Sequence, residues 1–272
     1  MLLRSTGRPD RPGPANEHRQ PVALEQACPG RVQTVTTAAG KAEYWLIRRD
    51  LADVAPDSLH IARQYAAVMR GARISFDELK ASAALCRVAD LGPQEALFMD
   101  TETCGFSGTA IFLVGMMFYE GRTLTFEQHL ARNYAEESAI LQAFADRLSR
   151  TSALVTFNGK AFDMNMIRER SAFHAVCLPQ PEPPNLDLLH ESRRRWRGQV
   201  PNFRLQTLER HLIGRHRHGD INGSEIPDAY HQFVKTADAR RLKEITHHNL
   251  LDLLTLSQLL CAILTGCDPV VE

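Results

Sequence analysis

The chain has 272 residues, 44% of them apolar, with 32 Lys and Arg balanced by 32 Asp and Glu. That apolar fraction excludes a disordered chain, and zero net charge removes any global electrostatic case for nucleic-acid binding. No apolar run approaches the ~18–20 residues that span a bilayer, and Met1-Leu2-Leu3-Arg4 lacks the apolar core of a signal peptide, so no membrane is expected. Six scattered cysteines without a C-x-x-C pair read as free thiols in a reducing cytoplasm.

In chain order, residues 1–40 are rich in Pro, Gly, Arg and Gln without periodicity and read as a disordered lead. Residues 41–94 read as an N-terminal extension of unassigned role, with a short strand at Tyr44–Ile47 and short helical pieces from Leu59 to Val88. The main domain is expected over 95–266. Ala96–Thr101 reads as a buried strand, and Ala110–Phe118 and Thr123–Leu130 as two more joined by a turn at Glu120-Gly121. Helical spacing runs from Glu136 to Leu148 through Ile140, Leu141, Phe144 and Leu148. A short buried strand, Ala153–Phe157, ends in Asn158-Gly159, and a helix carrying Asp163 starts near Phe162. An extended piece at Asn185 leads into an Arg-rich helix, Arg204–Ile213 is helical up to Gly214, and a long helix runs from Ala239 to Leu264. The order predicts an α/β fold with a mixed sheet flanked by helices.

The chemistry starts at Asp100 and Glu102. Spaced i, i+2 on a strand, they point to one side, and two carboxylates that close repel unless a cation lies between them. Hard oxygen ligands suit Mg²⁺ or Mn²⁺. Asp163 follows a strand and an Asn-Gly turn, a place where α/β sheets put function. Asp252 interrupts a leucine-rich helix, where an unpaired charge is costly. His248 is four residues earlier, on the same helix face, while His247 is rotated away. Four carboxylates from four segments would surround two divalent ions, a device for phosphodiester displacement, with a histidine taking a proton from water.

Asp100-Thr101-Glu102-Thr103-x-Gly105-Phe106, Val155-Thr156-Phe157-Asn158-Gly159-Lys160-x-Phe162-Asp163 and His248-Asn249-x-x-Asp252 resemble the motifs of DnaQ-like (DEDD) exonucleases of ribonuclease H-like fold. The similarity is to the YprB-like branch and extends through Leu186–His190, Arg194-Arg195-x-Trp-Arg, Leu208-Glu209 and Gly223-x-Glu225-Ile226-Pro227-x-x-Tyr230. The resemblance covers roughly residues 95–264. It implies a sheet whose first three strands are antiparallel and the rest parallel. It also implies a two-metal 3′–5′ exonuclease acting on a DNA or RNA 3′ end. Asp100, Glu102, Asp163 and Asp252 would bind the ions, with Glu102 and His248 as the catalytic pair. Two departures stand out. Cys104 and Phe106 replace the common Thr and Leu. The histidine lies four residues before Asp252, whereas histidine-type relatives place it five before, where His247 stands. The His-Asn-x-x-Asp pattern and helix geometry favour His248, with His247 the alternative.

Around this centre Thr103, Gly105, Phe106, Asn158 and Lys160 are candidate substrate contacts, Phe106 by stacking on a terminal base. Gly105 and Gly108 read equally as loop glycines, and Asn158 first as a turn residue. Between Asn185 and His218 eight arginines face Asp187, Glu191 and Glu209. Of these, Arg194 and Arg195, with Arg193 and Arg197, are candidate phosphate holders. Trp196 reads first as core. Asp187 is either a fifth acid at the rim or a helix N-cap. Asp220 and Glu225 read as structural, and the tract His211, His216, His218 lacks zinc-ligand spacing. A non-catalytic nucleic-acid-binding module and a structure-specific endonuclease are the rival readings.

Overall fold

A computed structural model describes residues 20–269. The order of elements is α1 (Leu24–Ala27), β1 (Arg31–Thr37), β2 (Gly40–Asp50), α2 (Ser58–Met69), α3 (Phe76–Leu79), α4 (Ala83–Ala89), β3 (Ala96–Thr103), β4 (Ile111–Glu120) and β5 (Thr123–Leu130). Then come α5 (Glu137–Leu148), β6 (Ala153–Thr156), α6 (Asp163–Phe173), β7 (Asn185–Asp187), α7 (Leu188–Arg195), α8 (Leu205–Leu208), α9 (Ile226–Thr236) and α10 (Arg240–Thr265).

The seven strands form one sheet in the order β1-β2-β5-β4-β3-β6-β7. β3, β4 and β5 pair antiparallel, while β6 joins β3, and β7 joins β6, in parallel. This is the expected mixed sheet. The β4–β5 connection is a two-residue hairpin with Gly121 at φ 55° and Arg122 at φ 74°. Positive φ at both central positions marks a type I′ turn, whose twist suits a hairpin.

The N-terminal part departs from expectation. Residues 1–19 lie outside the described residues, but 20–40 are not a disordered lead: they include α1 and β1. Residues 41–94 are not an extension beside the domain, because β2 pairs antiparallel with β5 from Trp45↔Leu130 to Asp50↔Thr125. The hairpin thus widens the main sheet, and the apolar side chains of α2 and α4 pack with β3, β6 and α10 in one core. Val32, Val35 and the threonines of β1 supply β-branched side chains for an edge strand whose polar neighbours hid the pattern.

Two layers of helices sandwich the sheet. On one face Leu97, Met99, Val114, Met116 and Leu154 pack against α5 and α6. On the other, Phe98, Met117, Phe126 and Val155 pack against α2, α4 and the leucines of α10. α10 has the length and mean hydropathy of a membrane-crossing helix, which the sequence reading passed over, but 72% of that window is buried within the fold. Trp196 is fully buried and its indole donates to Cys267 O at 3.1 Å, so it is a core residue that ties α7 to the end of α10.

Candidate active site

The four acids come from the middle of this architecture. β3 is central and buried on both faces, so its alternation sends Phe98, Asp100 and Glu102 toward α10 while Leu97 and Met99 enter the opposite core. β6 runs parallel to β3 and delivers the chain through Asn158-Gly159 to Asp163 at the start of α6. Asn158 takes φ 62°, the left-handed conformation an Asn-Gly turn tolerates. The buried Asp187 caps α7 through Leu189 N at 3.0 Å and also accepts from the backbone N–H groups of Asn158 at 2.9 Å and Lys160 at 3.2 Å. It is therefore the N-cap of the two readings, and it shapes the turn that aims Asp163.

α10 lies against β3 and β4 through Gly115. A Cβ there would sit 2.0 Å from Asn249 Oδ1, so only glycine permits the approach. Asn249 is fully buried. Its Nδ2 donates to Asp100 Oδ2 at 2.9 Å, and its Oδ1 accepts from Gln128 Nε2 at 2.8 Å. This link between helix and sheet brings Asp252, one turn on, to the two acids of β3.

The electrostatics reflect the crowding. Burial, then the charges of Asp252, Glu102 and Asp163, hold the Asp100 carboxyl well above its ordinary range, against the pull of the Asn249 amide. Burial and then Asp252, Asp163 and Asp220 do the same to Glu102. Burial also raises Asp163, to about 6, although Thr101 opposes this with its hydroxyl at 2.5 Å and its N–H at 3.2 Å. Such a cluster is relieved by cations, and its hard oxygen donors have the chemistry of a divalent-ion site. Among the described residues, however, no three His, Cys, Asp or Glu side chains are arranged to hold one ion as they stand.

Asp252 is engaged by neighbouring basic groups. Arg217 Nη2 is 2.6 Å from Asp252 Oδ1, and His248 Nε2 is 3.4 Å from Asp252 Oδ2. The Nδ1 of His248 is 2.9 Å from both oxygens of Asp220. Arg217 also donates to Glu209 at 2.6 Å and to Asp220 at 3.2 Å. Arg215 makes a second pair with Glu209 at 2.9 Å. Glu209 is fully buried, in a π-turn (Glu209–Ile213) that ends at Gly214.

The sequence-predicted residues divide accordingly. Asp100, Glu102, Asp163, Asp252 and His248 come together, whereas His247, next to His248, is exposed. Thr103 holds the following loop by donating to Gly105 O at 2.6 Å, Gly105 takes φ 146°, and Phe106 is 84% exposed on the same loop. Asn158 and Lys160 are exposed at the turn before Asp163. Arg194 is half exposed, 3.8 Å from Glu191 on its own helix, and Arg195 is not at the centre. Arg195 Nη2 lies 3.2 Å from where a Gly266 side chain would begin, and residue 266 is roughly 20 Å along α10 from Asp252 at 1.5 Å per residue. The arginine that does reach a site acid is Arg217, at Asp252, with Arg215 beside it on Glu209, and Asp220 meets His248 rather than only supporting a loop. Sequence reasoning missed Arg217, Asp220, Asn249 and Gly115 in these roles. Only the local excess of arginine signalled the first.

A sequence-family profile of the RNase_H superfamily matches residues 97–264. The chain is 40% identical over 167 residues to Uncharacterized protein YprB of Bacillus subtilis (strain 168), a stretch that spans 60% of this chain and 40% of that one. Among solved structures, a family B DNA polymerase from the archaeon Pyrobaculum calidifontis superposes with a TM-score of 0.48 at 15% identity, over 62% of this chain and 24% of that one. An apo exonuclease I superposes at 0.30 and 15% identity, over 57% and 44%. Scores this low define neither activity nor substrate. The profile match takes in all four carboxylates and the histidine beside them, and the chain belongs to the RNase_H superfamily.

Proposed function

We propose that the protein is a metal-dependent nuclease that removes nucleotides from nucleic-acid 3′ ends, using Mg²⁺ or Mn²⁺ at the four carboxylates. Membership of the RNase_H superfamily supports nuclease-type chemistry on nucleic acid. The observation that carries the reading is the convergence of Asp100, Glu102, Asp163 and Asp252, where burial raises the first three carboxyls and repulsion from their neighbours adds to the rise of Asp100 and Glu102. Asp100, Glu102, Asp163 and Asp252 would hold two divalent ions, which when bound activate a water and stabilise the leaving oxygen. His248 takes a proton at Nε2, and Asp220 fixes the ring by accepting from Nδ1–H, leaving the other nitrogen as the acceptor. Phe106 offers an exposed ring on the loop leaving β3, suited to stacking on a terminal base.

The test is cleavage of 5′-labelled DNA and RNA strands with Mg²⁺ or Mn²⁺. The native protein should shorten strands from the 3′ end and leave circles intact. Asp100→Ala and Asp252→Ala should each lose at least about a thousandfold in rate, about 4 kcal/mol of barrier, with the fold retained by circular dichroism. Cut circles would make the protein an endonuclease. Tight binding without cleavage would make it a binding module. Full activity in both variants would end the assignment of the site.

A further inference from the structure

The basic tract of the sequence contributes one residue to the acidic centre, and it does so in an unusual manner. Arg217 lies in the irregular stretch between Gly214 and Gly219, both at positive φ, yet its side chain is only 6% exposed. One edge of the guanidinium is anchored, with Nε donating to the fully buried Glu209. The far nitrogen, Nη2, sits 2.6 Å from Asp252 Oδ1. That oxygen is buried, and its attraction to the guanidinium is chiefly one of charge. No ion pair among the described residues reaches Asp100, Glu102 or Asp163. The guanidinium therefore offsets the cluster at one corner only, at an acid that the arrangement of carboxylates would need for an ion.

We propose that Arg217 is an internal counter-cation of the acidic site: it pairs with Asp252 while no divalent ion is bound and gives up that contact when one enters. The inference rests on the metal-dependent reading of the site given above. A divalent ion coordinated by Asp252 and a guanidinium at 2.6 Å from the same oxygen repel each other and crowd the same buried atom. Glu209 and Asp220 keep hold of the released arm, because the anchoring bonds do not involve Asp252. Metal loading and the Arg217–Asp252 contact are thus in competition, and the irregular stretch 214–219 absorbs the movement of the side chain.

The test uses the full chain stripped of metal and titrated with Mn²⁺, free ion being read by electron paramagnetic resonance, with no substrate present. Arg217→Gln should bind Mn²⁺ about tenfold more tightly than the native protein, since a tenfold change in affinity corresponds to about 1.4 kcal/mol of removed competition. Its metal-free form should also melt lower and gain more in Tm on adding Mn²⁺. Arg217→Lys keeps the charge but lacks the fork that spans Glu209 and Asp252. It should bind with intermediate affinity, and it carries the test if Arg217→Gln does not fold. Equal or weaker Mn²⁺ binding by the folded variant, with native binding intact and lost in Asp252→Asn, overturns this inference alone. No Mn²⁺ binding by any form overturns the metal reading and this inference with it.

Discussion

The approach of α10 to the sheet depends on one atom's width at Gly115, so Gly115→Ala is the sharpest probe of how the site is assembled. The new methyl group would meet Asn249 Oδ1 at 2.0 Å and both Cγ and Nδ2 at 2.7 Å. Asn249 is fully buried between the sheet and its own helix, so it cannot swing into solvent. Either α10 shifts outward or the amide leaves its place, losing its bonds to Asp100 at 2.9 Å and Gln128 at 2.8 Å. Each buried group left without a partner costs about 1–3 kcal/mol. Overpacking a tight contact costs about 1–3 kcal/mol more. The expected sum is about 2–6 kcal/mol, and at about 2–4 °C per kcal/mol for a chain of this size the Tm falls by roughly 4–24 °C. Thermal unfolding followed by circular dichroism in the absence of metal measures it. Removing the obstructing amide should remove the penalty, so Gly115→Ala in an Asn249→Ala background should cost less than about 1 kcal/mol, a coupling of at least about 1 kcal/mol. A Gly115→Ala protein that melts within about 2 °C of the native one would refute the argument. So would strictly additive effects of the two changes.

Two further outcomes follow from the charges. Asp163 rises from 3.8 to about 6 in the fold, so the folded state binds its proton more tightly than the unfolded chain does. Its destabilising effect is absent at low pH, builds as pH rises from about 4, and is complete above about 6. In metal-free protein Asp163→Asn should therefore gain stability relative to the native chain across that window, as read by urea unfolding at several pH values; a flat or inverted difference would contradict the shift. Glu137 behaves in the opposite sense: though nearly fully buried, it accepts from Arg170 at 2.6 Å, His174 at 2.9 Å and Ile111 N at 2.8 Å, and these partners hold its carboxyl below the ordinary value. Glu137→Ala, which strands the Arg170 charge, should cost about 3–5 kcal/mol in the same urea assay, and a loss under about 1 kcal/mol would show that the pair contributes little.

Features of this protein carried by residues near one another in the chain were legible in the sequence. The i, i+2 pair on β3, the Asn-Gly turn before Asp163, the i, i+4 spacing of His248 and Asp252 and the hairpin at Gly121 each follow from a backbone period or a turn preference. The order of elements from β3 to α10 followed from them as well. What the tertiary structure decided involves partners far apart in sequence. β2 reaches β5 across some eighty residues, so the hairpin at 31–50 belongs to the sheet although nothing local announces it. Arg217 and Glu209 sit in an arginine-rich stretch that gave no sign of meeting the acids, and Asp220 read as structural, yet the fold turns them inward to Asp252 and His248. Gly115 looked like an ordinary strand residue until α10 was laid across it. Local periodicity specifies which way a side chain points within its own element. Which charge it meets there is set by the packing of elements against one another, and for buried ions that meeting dominates the energetics.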